Sequence, residues 1–276
     1  MPSTPRPTSA VPGRASRTAW SCSPGCCIRR RSPAYRSRAG PARWEADVSR
    51  PQDVLVAWSG GKDSALALRE IVHDGRYRVA ALLTTVTREY DRISMHGVRR
   101  TLLERQAASL GLPLEQVVIS PGATNDEYEG KMASTLEALR DRMPGLDTVV
   151  FGDLFLADIR AYRERMLART GMRALFPLWL RDTRALAHEF VRLGYRAVLV
   201  CVDADQLTPE FAGREFDADL LRDIPSTVDP CGENGEFHTF VYAGPGFRHA
   251  VRHARGPVVV RDRRFVYCDL VETDAR

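Results

Sequence analysis

VLVAWSGGKDSALALREI, residues 54–71, runs an apolar stretch through two glycines, a lysine and two hydroxyls into an Ala/Leu-rich segment. Val54 to Trp58 read as a short buried strand, and Ala65, Leu66, Leu68, Ile71 and Val72 recur at helical spacing. A turn between a strand and a helix aims several backbone N–H groups at one point, and the helix N-terminus adds partial positive charge. That is an anion site suited to phosphate. Gly60 and Gly61 let the backbone approach a ligand, Ser59 and Ser64 offer hydroxyls, and Lys62 supplies a mobile point charge. Asp63 would repel phosphate, so it fits as a helix N-terminal carboxylate or as a ligand of phosphate-bound Mg²⁺.

The loop is not a Walker P-loop. That pattern needs Gly five residues before the Gly-Lys pair and Ser or Thr after it, where this chain has Val56 and Asp63. A plain connecting turn is the competing reading, and the full S-G-G-K-D-S string between a clean strand and helix argues against it. Two of the 40 basic residues, Lys62 and Lys131, are lysines, so 38 are Arg. One of only two slim ammonium groups therefore sits in the loop, where a forked guanidinium would not fit.

The 276 residues suffice for one large or two small domains, and 44% hydrophobic and 27% charged content are ordinary for a globular chain. No apolar run approaches a membrane span. The net charge of +5 is unevenly spread. Residues 1–50 hold ten Arg and two acids, whereas residues 51–276 hold 30 basic and 33 acidic residues. The folded body therefore lacks the cationic excess of a general nucleic-acid binder. Residues 1–50, with seven Pro and eight Ser, read as a disordered tail. Their Arg/Ser-rich composition superficially suits a transit peptide, but a true start near Val48 is the simpler expectation. Cys22, Cys26 and Cys27 lack downstream partners at zinc spacing, and Cys201, Cys231 and Cys268 are scattered, as in a reducing cytoplasm.

Beyond the loop helix, YRVAALLTTVT, LEQVVIS, LDTVVFGD and ALFPLW read as strands, separated by helical patterns in GVRRTLLERQAASLG, TNDEYEGKMASTLEALRD and DIRAYRERMLARTG. Arg160 and Glu164 form a surface pair on the last helix. Alternation of this kind means an α/β fold with a parallel sheet, whose ligands bind outside the strands' carboxyl ends. The loop, Thr84 to Thr87 and Asp153 then share one rim, with Thr84 a nucleotide contact. After Trp179, DTRALAHEFVRLG reads as a helix and YRAVLVCVD as a strand. PEFAGREFDADLLRDI is helical in period, and GEFHTFVY, PVVVRD and RRFVYCDLV read as antiparallel strands. The expected division is a first domain over 51–180, which carries the phosphate loop, and a second over 181–276.

DPCGENGEFHTFVYAGPGF, residues 229–247, gathers Asp229, Glu233, Asn234, Glu236 and His238 around Gly232 and Gly235. On a strand from Glu236, His238 and Phe240 share its face. A ligand site and a polar turn before an edge strand both fit the composition. His96, in ISMHGV, sits just before a helix near the same rim, where it is either a site residue or a solvated cap.

With S-G-G-K-D-S the chain resembles the N-type ATP pyrophosphatases, which release AMP and pyrophosphate. Adding M-H-G-V at 95–98, G-D at 152–153, P-L-W at 177–179 and D-P-C-G-E-N-G-E-F-H-T-F-V at 229–241, it resembles the diphthine–ammonia ligase family over residues 53–270. The resemblance implies a HUP-type, Rossmann-like domain followed by a smaller α/β domain. It implies amidation of the diphthine carboxylate on elongation factor two with ATP and ammonium. Ser59, Gly60, Gly61, Lys62, Asp63 and Ser64 match the ATP loop, and Asp153 the acid ending the fourth strand. Gly232, Glu233, Asn234, Glu236 and His238 match the second-domain motif at the substrate or ammonia end, with His96 beside them.

The implied chemistry is attack of a carboxylate on the ATP α-phosphate, loss of pyrophosphate, and displacement of AMP by ammonia. Lys62 and Mg²⁺ would stabilise the leaving group, with Asp63 and Asp153 as metal ligands, although Asp153 also suits a helix cap. Glu233, Glu236 or His238 would handle ammonium. Two other readings share the loop: a tRNA-thiolating enzyme, which would want a cysteine pair and a basic surface, and a nucleotide sensor without turnover.

Overall fold

The computed structural model describes residues 50–90, 92–93 and 97–273, and every element below belongs to the compact unit Val48–Arg276. The tail before Arg50, its three cysteines and His96 lie outside the described residues.

The first half runs β1 (Gln52–Ala57), α1 (Lys62–Asp74), β2 (Tyr77–Thr87), β3 (Arg92–Ile93) and α2 (Arg100–Leu110). It continues through β4 (Leu114–Ile119), α3 (Asn125–Arg142), β5 (Thr148–Val150), α4 (Ala157–Ala168) and β6 (Arg173–Leu175). β1 lies between β2 and β5, β4 pairs the far edge of β2, and β6 pairs β5, all parallel. Among the described residues only the two-residue β3 runs antiparallel in this sheet, against the end of β2. The chain thus leaves β1 toward β2 on one side, while β5 flanks β1 on the other. That reversal is the topological switch point, where a crevice opens at the strands' carboxyl ends.

The sheet is covered on both faces, as a parallel sheet must be. Val54 and Val56 of β1 pack with Leu66 of α1 and Leu102 and Leu103 of α2. Leu55, on the opposite face, packs with Leu136 and Leu139 of α3 and Met166 of α4. Gly111 closes α2 by donating to Ala107 and Ala108, and the Thr124 side chain caps the start of α3 by accepting from Glu127 N–H. ALFPLW gives only two strand residues, Ala174 and Leu175, because the chain turns at Pro177–Trp179, with Trp179 N–H donating to Phe176.

The second half contains α5 (Thr183–Arg192), β7 (Arg196–Asp203), α6 (Ala218–Asp223), β8 (Phe237–Ala243), β9 (His253–Arg261) and β10 (Phe265–Glu272). Its four strands form an antiparallel sheet in the order β8-β7-β10-β9. Residues 209–224 do not form the single helix their period predicts. One 3-10 turn at Pro209–Phe211 precedes an extended stretch, and α6 follows. The stretch is pulled straight by β7: Gly213 N–H donates to Leu199, Phe216 N–H to Ala197, and Arg214 accepts from Leu199. β10 covers β7 only at Cys201–Asp203, so residues 213–216 satisfy the strand edge that would otherwise stay open. No helix among the described residues is long and apolar enough to cross a membrane.

Candidate active site

The loop leaves β1 at Trp58, whose N–H donates to Leu83, and enters α1 at Lys62. Gly60 has φ +78°, and a Cβ there would lie 2.8 Å from Gln106 Oε1 and 2.9 Å from Leu103 Cδ2. The fully buried Gln106 holds the turn. Its Nε2 donates to the carbonyls of Gly60 (3.0 Å) and Val241 (2.6 Å), and its Oε1 accepts from Trp58 Nε1 (2.9 Å). Ser64 Oγ donates to Gly61 O at 2.8 Å, and Ser59 Oγ to Ser64 Oγ at 3.2 Å. Across the crevice, a Cβ on Gly152 would meet the Asp63 carbonyl at 2.8 Å, so only glycine lets the β5 end pack on the first turn of α1.

β8 supplies the other half of the cradle. Val241 N–H donates to Gly60 O at 2.9 Å, and Lys62 N–H donates to Thr239 Oγ1 at 3.0 Å. Lys62 Nζ donates to Asp63 Oδ2 at 2.8 Å and to the Cys231 carbonyl, and lies 5.4 Å from the Phe237 ring centroid. Lys62 is therefore not the mobile charge expected of it: at 2% exposure it is pinned between its neighbour and the second half of the chain. Burial works against its charge, and the Asp63 carboxylate, with help from Glu233, outweighs burial and holds the ammonium above its ordinary value.

Ser59, Gly61, Lys62, Asp63, Ser64 and Thr84 line one cavity of about 640 Å³. Asp153, Gly232, Glu233, Asn234 and His238 line the same space from the other side. Gly60 sits behind the loop, and Glu236 is buried behind the 229–236 turn, one residue before β8. Its Oε1 accepts from Asp229 N–H (2.9 Å) and Asn234 Nδ2 (3.1 Å), so Glu236 and Asn234 brace the turn. Glu233 points the other way. Its Oε1 accepts from Leu154 N–H at 2.8 Å, which closes the turn over the crevice. Burial, joined by the nearby Asp63 and Asp153 charges, pushes its carboxyl up to about 7 against the pull of that N–H.

Asp153 is ion-paired with Arg163 (2.9 Å), whose guanidinium stacks 4.4 Å over Phe151. Asp63 Oδ1 and Thr84 Oγ1 are buried without a partner, as groups awaiting a ligand would be. Among the described residues no three His, Cys, Asp or Glu side chains converge as a metal cluster. Cys201 and Cys231 are buried free thiols. Burial pushes Cys201 up to about 11 and Cys231 higher still, so neither is a ready thiolate.

Gln106, Thr239 and Arg163 were not singled out from the sequence. Gln106 carried a signal: a polar amide on the same stripe as Leu102, Leu103 and Ala107. Thr239 lay inside the motif of 229–241, while Arg163 looked like any surface arginine of α4.

Two family models match this chain. The model described as the diphthamide synthase N-terminal domain matches residues 52–174, and that of the diphthamide synthase C-terminal domain matches residues 182–258. The chain belongs to the diphthamide synthase family. A Schizosaccharomyces pombe protein named diphthine–ammonia ligase is 26% identical over 230 residues, 74% of this chain and 38% of its own length. A Danio rerio protein of the same name is 28% identical over 215 residues, 70% of this chain and 83% of its own. A Saccharomyces cerevisiae namesake is 24% identical over 230 residues, 69% of this chain and 33% of its own. This chain thus spans 38% and 33% of the length of the two yeast relatives.

Proposed function

We propose that the chain is an ATP-dependent carboxylate–ammonia ligase of the diphthine–ammonia ligase type. One observation carries the reading: the S-G-G-K-D-S turn sits at the switch point of a parallel sheet and is bonded directly to the 229–241 segment that bears Glu233. Residues 51–180 would hold ATP and residues 181–276 the acceptor. A cavity of about 640 Å³ lies within the roughly 300–1,000 Å³ range of small-molecule sites. Its apolar end, with Leu83, Met132 and Phe151, suits a planar base, and its polar end is the loop. The residues present fit a nucleotide.

ATP supplies the activation, since transfer of AMP to a carboxylate releases pyrophosphate and leaves a bond that ammonia can displace. Ser59, Gly61 and Ser64 with the N-terminus of α1 would receive the phosphates. Lys62 offsets developing charge on the leaving group. Mg²⁺ would meet the partnerless Oδ1 of Asp63, and Asp153 would join it once exchanged from Arg163. Glu233, poised near neutrality, takes the proton from ammonium, and His238 faces the acceptor from the same cavity wall. The acceptor by family is diphthine on elongation factor two, and a cell without diphthine would offer another carboxylate. We assign the protein to the cytoplasm, where its buried thiols stay reduced.

The test follows labelled ATP incubated with the protein, Mg²⁺, ammonium and an extract of its own cells. AMP and pyrophosphate that depend on both extract and ammonium are expected. ADP and phosphate would overturn the mechanism.

A further inference from the structure

The cavity that holds the loop is also lined by an ion pair with no role in the chemistry so far. Asp203, at the end of β7, is 1% exposed, and Arg264, just before β10, grips it side-on. Arg264 Nε donates to Oδ1 at 2.7 Å and Nη2 to Oδ2 at 2.5 Å. Gln206 Nε2 at 2.8 Å and the Asp205 N–H at 3.2 Å fix the same carboxylate. The pair is locked from behind as well: Asp203 N–H donates to Glu236 O, and Ala204 N–H to Arg264 O. The Arg264 hydrogen bond and the others hold Asp203 down at about 2 despite burial, so its charge is permanent.

A side-on grip uses the Nε–Nη2 edge of a guanidinium, and the exposed Asp205 carboxylate approaches that same edge, 3.2 Å from Nε. The Nη1 end remains, and it presents the fork that binds a second carboxylate bidentately. Arg264 and Asp203 both line the cavity that holds the S-G-G-K-D-S loop, and the Arg264 side chain is 46% exposed. Lys62 and Arg163 of the same cavity are ion-paired as well, to Asp63 and Asp153, but they are less exposed, with side chains at 3% and 29% against 46% for Arg264. A carboxylate entering beside a triphosphate needs a fixed positive group that the nucleotide does not use. Arg264 lies beyond residue 258, where the second family match ends.

We propose that Arg264, held rigid by Asp203, forms the subsite that receives the oxyanion of the acceptor carboxylate in the cavity that holds the ATP loop. The proposal rests on the ligase reading above. Because phosphate is also an oxyanion, the nucleotide is the alternative occupant, and the assay must separate the two.

The experiment measures AMP formation by the full chain at varied extract, varied ATP and varied ammonium. Arg264→Gln alone would leave Asp203 buried and unpaired, so the Asp203→Asn/Arg264→Gln double variant is measured beside it, with Arg264→Lys as the conservative change. The double variant is expected to melt near wild type and to need about 10- to 100-fold more extract for half-saturation, the loss typical of hydrogen bonds to a charged group. Its half-saturating ATP and ammonium should stay within about twofold of wild type. Arg264→Lys should restore only part, because an ammonium lacks the fork. An unchanged extract requirement in an active, folded double variant overturns the subsite, and a raised ATP requirement assigns Arg264 to the nucleotide and overturns it equally. A wild-type chain that forms no AMP under any condition overturns the ligase reading, and the subsite with it.

Discussion

Glu233 and Glu236 stand three residues apart in one motif, and their roles diverge completely. Glu236 Oε1 braces the turn, accepting from Asp229 and Asn234, and its Oε2 is buried without a partner, while Glu233 reaches across to Leu154. Nothing in residue type distinguishes them, because the difference depends on which way a Gly-bounded turn faces. The sequence placed both acids in one motif and left open which of them lines the cavity, where Glu233 lies and Glu236 does not. Glu233 is raised from 4.5 to about 7, so between those values the folded chain holds a proton that the unfolded chain has lost. Stability should therefore fall as pH rises across that window, and a Glu233→Gln chain should lose that slope in a thermal-melt series. If Glu233 is the base for ammonium, AMP formation rises with pH through about 7, and the Gln variant loses that limb of the profile. Lys62→Ala should lower the rate of AMP formation on the order of 10²–10³-fold. A variant at full rate would remove Lys62 from the leaving-group role.

The elements that recur locally were readable: β1, the loop and α1 are fixed by periodicity within 20 residues, and so were the crossover helices. What failed was the segment at 209–224, where a helical period lost to the open edge of β7. Hydrogen-bond demand from a distant strand leaves no trace in local spacing. The ties between elements were hidden for the same reason. Gln106 joins α2 to the loop and β8, and Gln106→Leu would strand Trp58 Nε1–H and the Val241 carbonyl in the interior. Two buried groups without partners cost about 2–6 kcal/mol together, so Tm should fall by several degrees. A melt within about 1 °C of wild type would mean the groups find other partners. Gly152→Ala tests the opposing wall. Its methyl would meet backbone atoms of Asp63 at 2.8 Å, where no flexible side chain can yield, so the first turn of α1 must shift. A displacement near 1 Å in the loop should lower the AMP-forming rate by about 10²-fold, seen in kcat at saturating ATP.

At the scale of the molecule, the loop that would bind ATP does not belong to the parallel sheet alone. One hydrophobic cluster holds Val54, Val56 and Leu66 together with Val198, Phe190 and Phe240. The polar ties run the same way, from Gly60 to Val241 and from Lys62 to Thr239 and Cys231. A chain cut to residues 48–180 would expose the second-sheet side of α1 to water and leave Lys62 without the Cys231 carbonyl. It should therefore neither melt cooperatively nor bind ATP, even though it keeps every residue of the S-G-G-K-D-S loop. A chain of residues 48–276 should show one calorimetric transition, with equal calorimetric and van't Hoff enthalpies. Two resolved transitions, or an ATP-binding 48–180 fragment, would show that the antiparallel sheet only docks on a finished site. Loss of both in the fragment would mean that acceptor side and nucleotide side are built on one core, so that a change at either one is felt by the other.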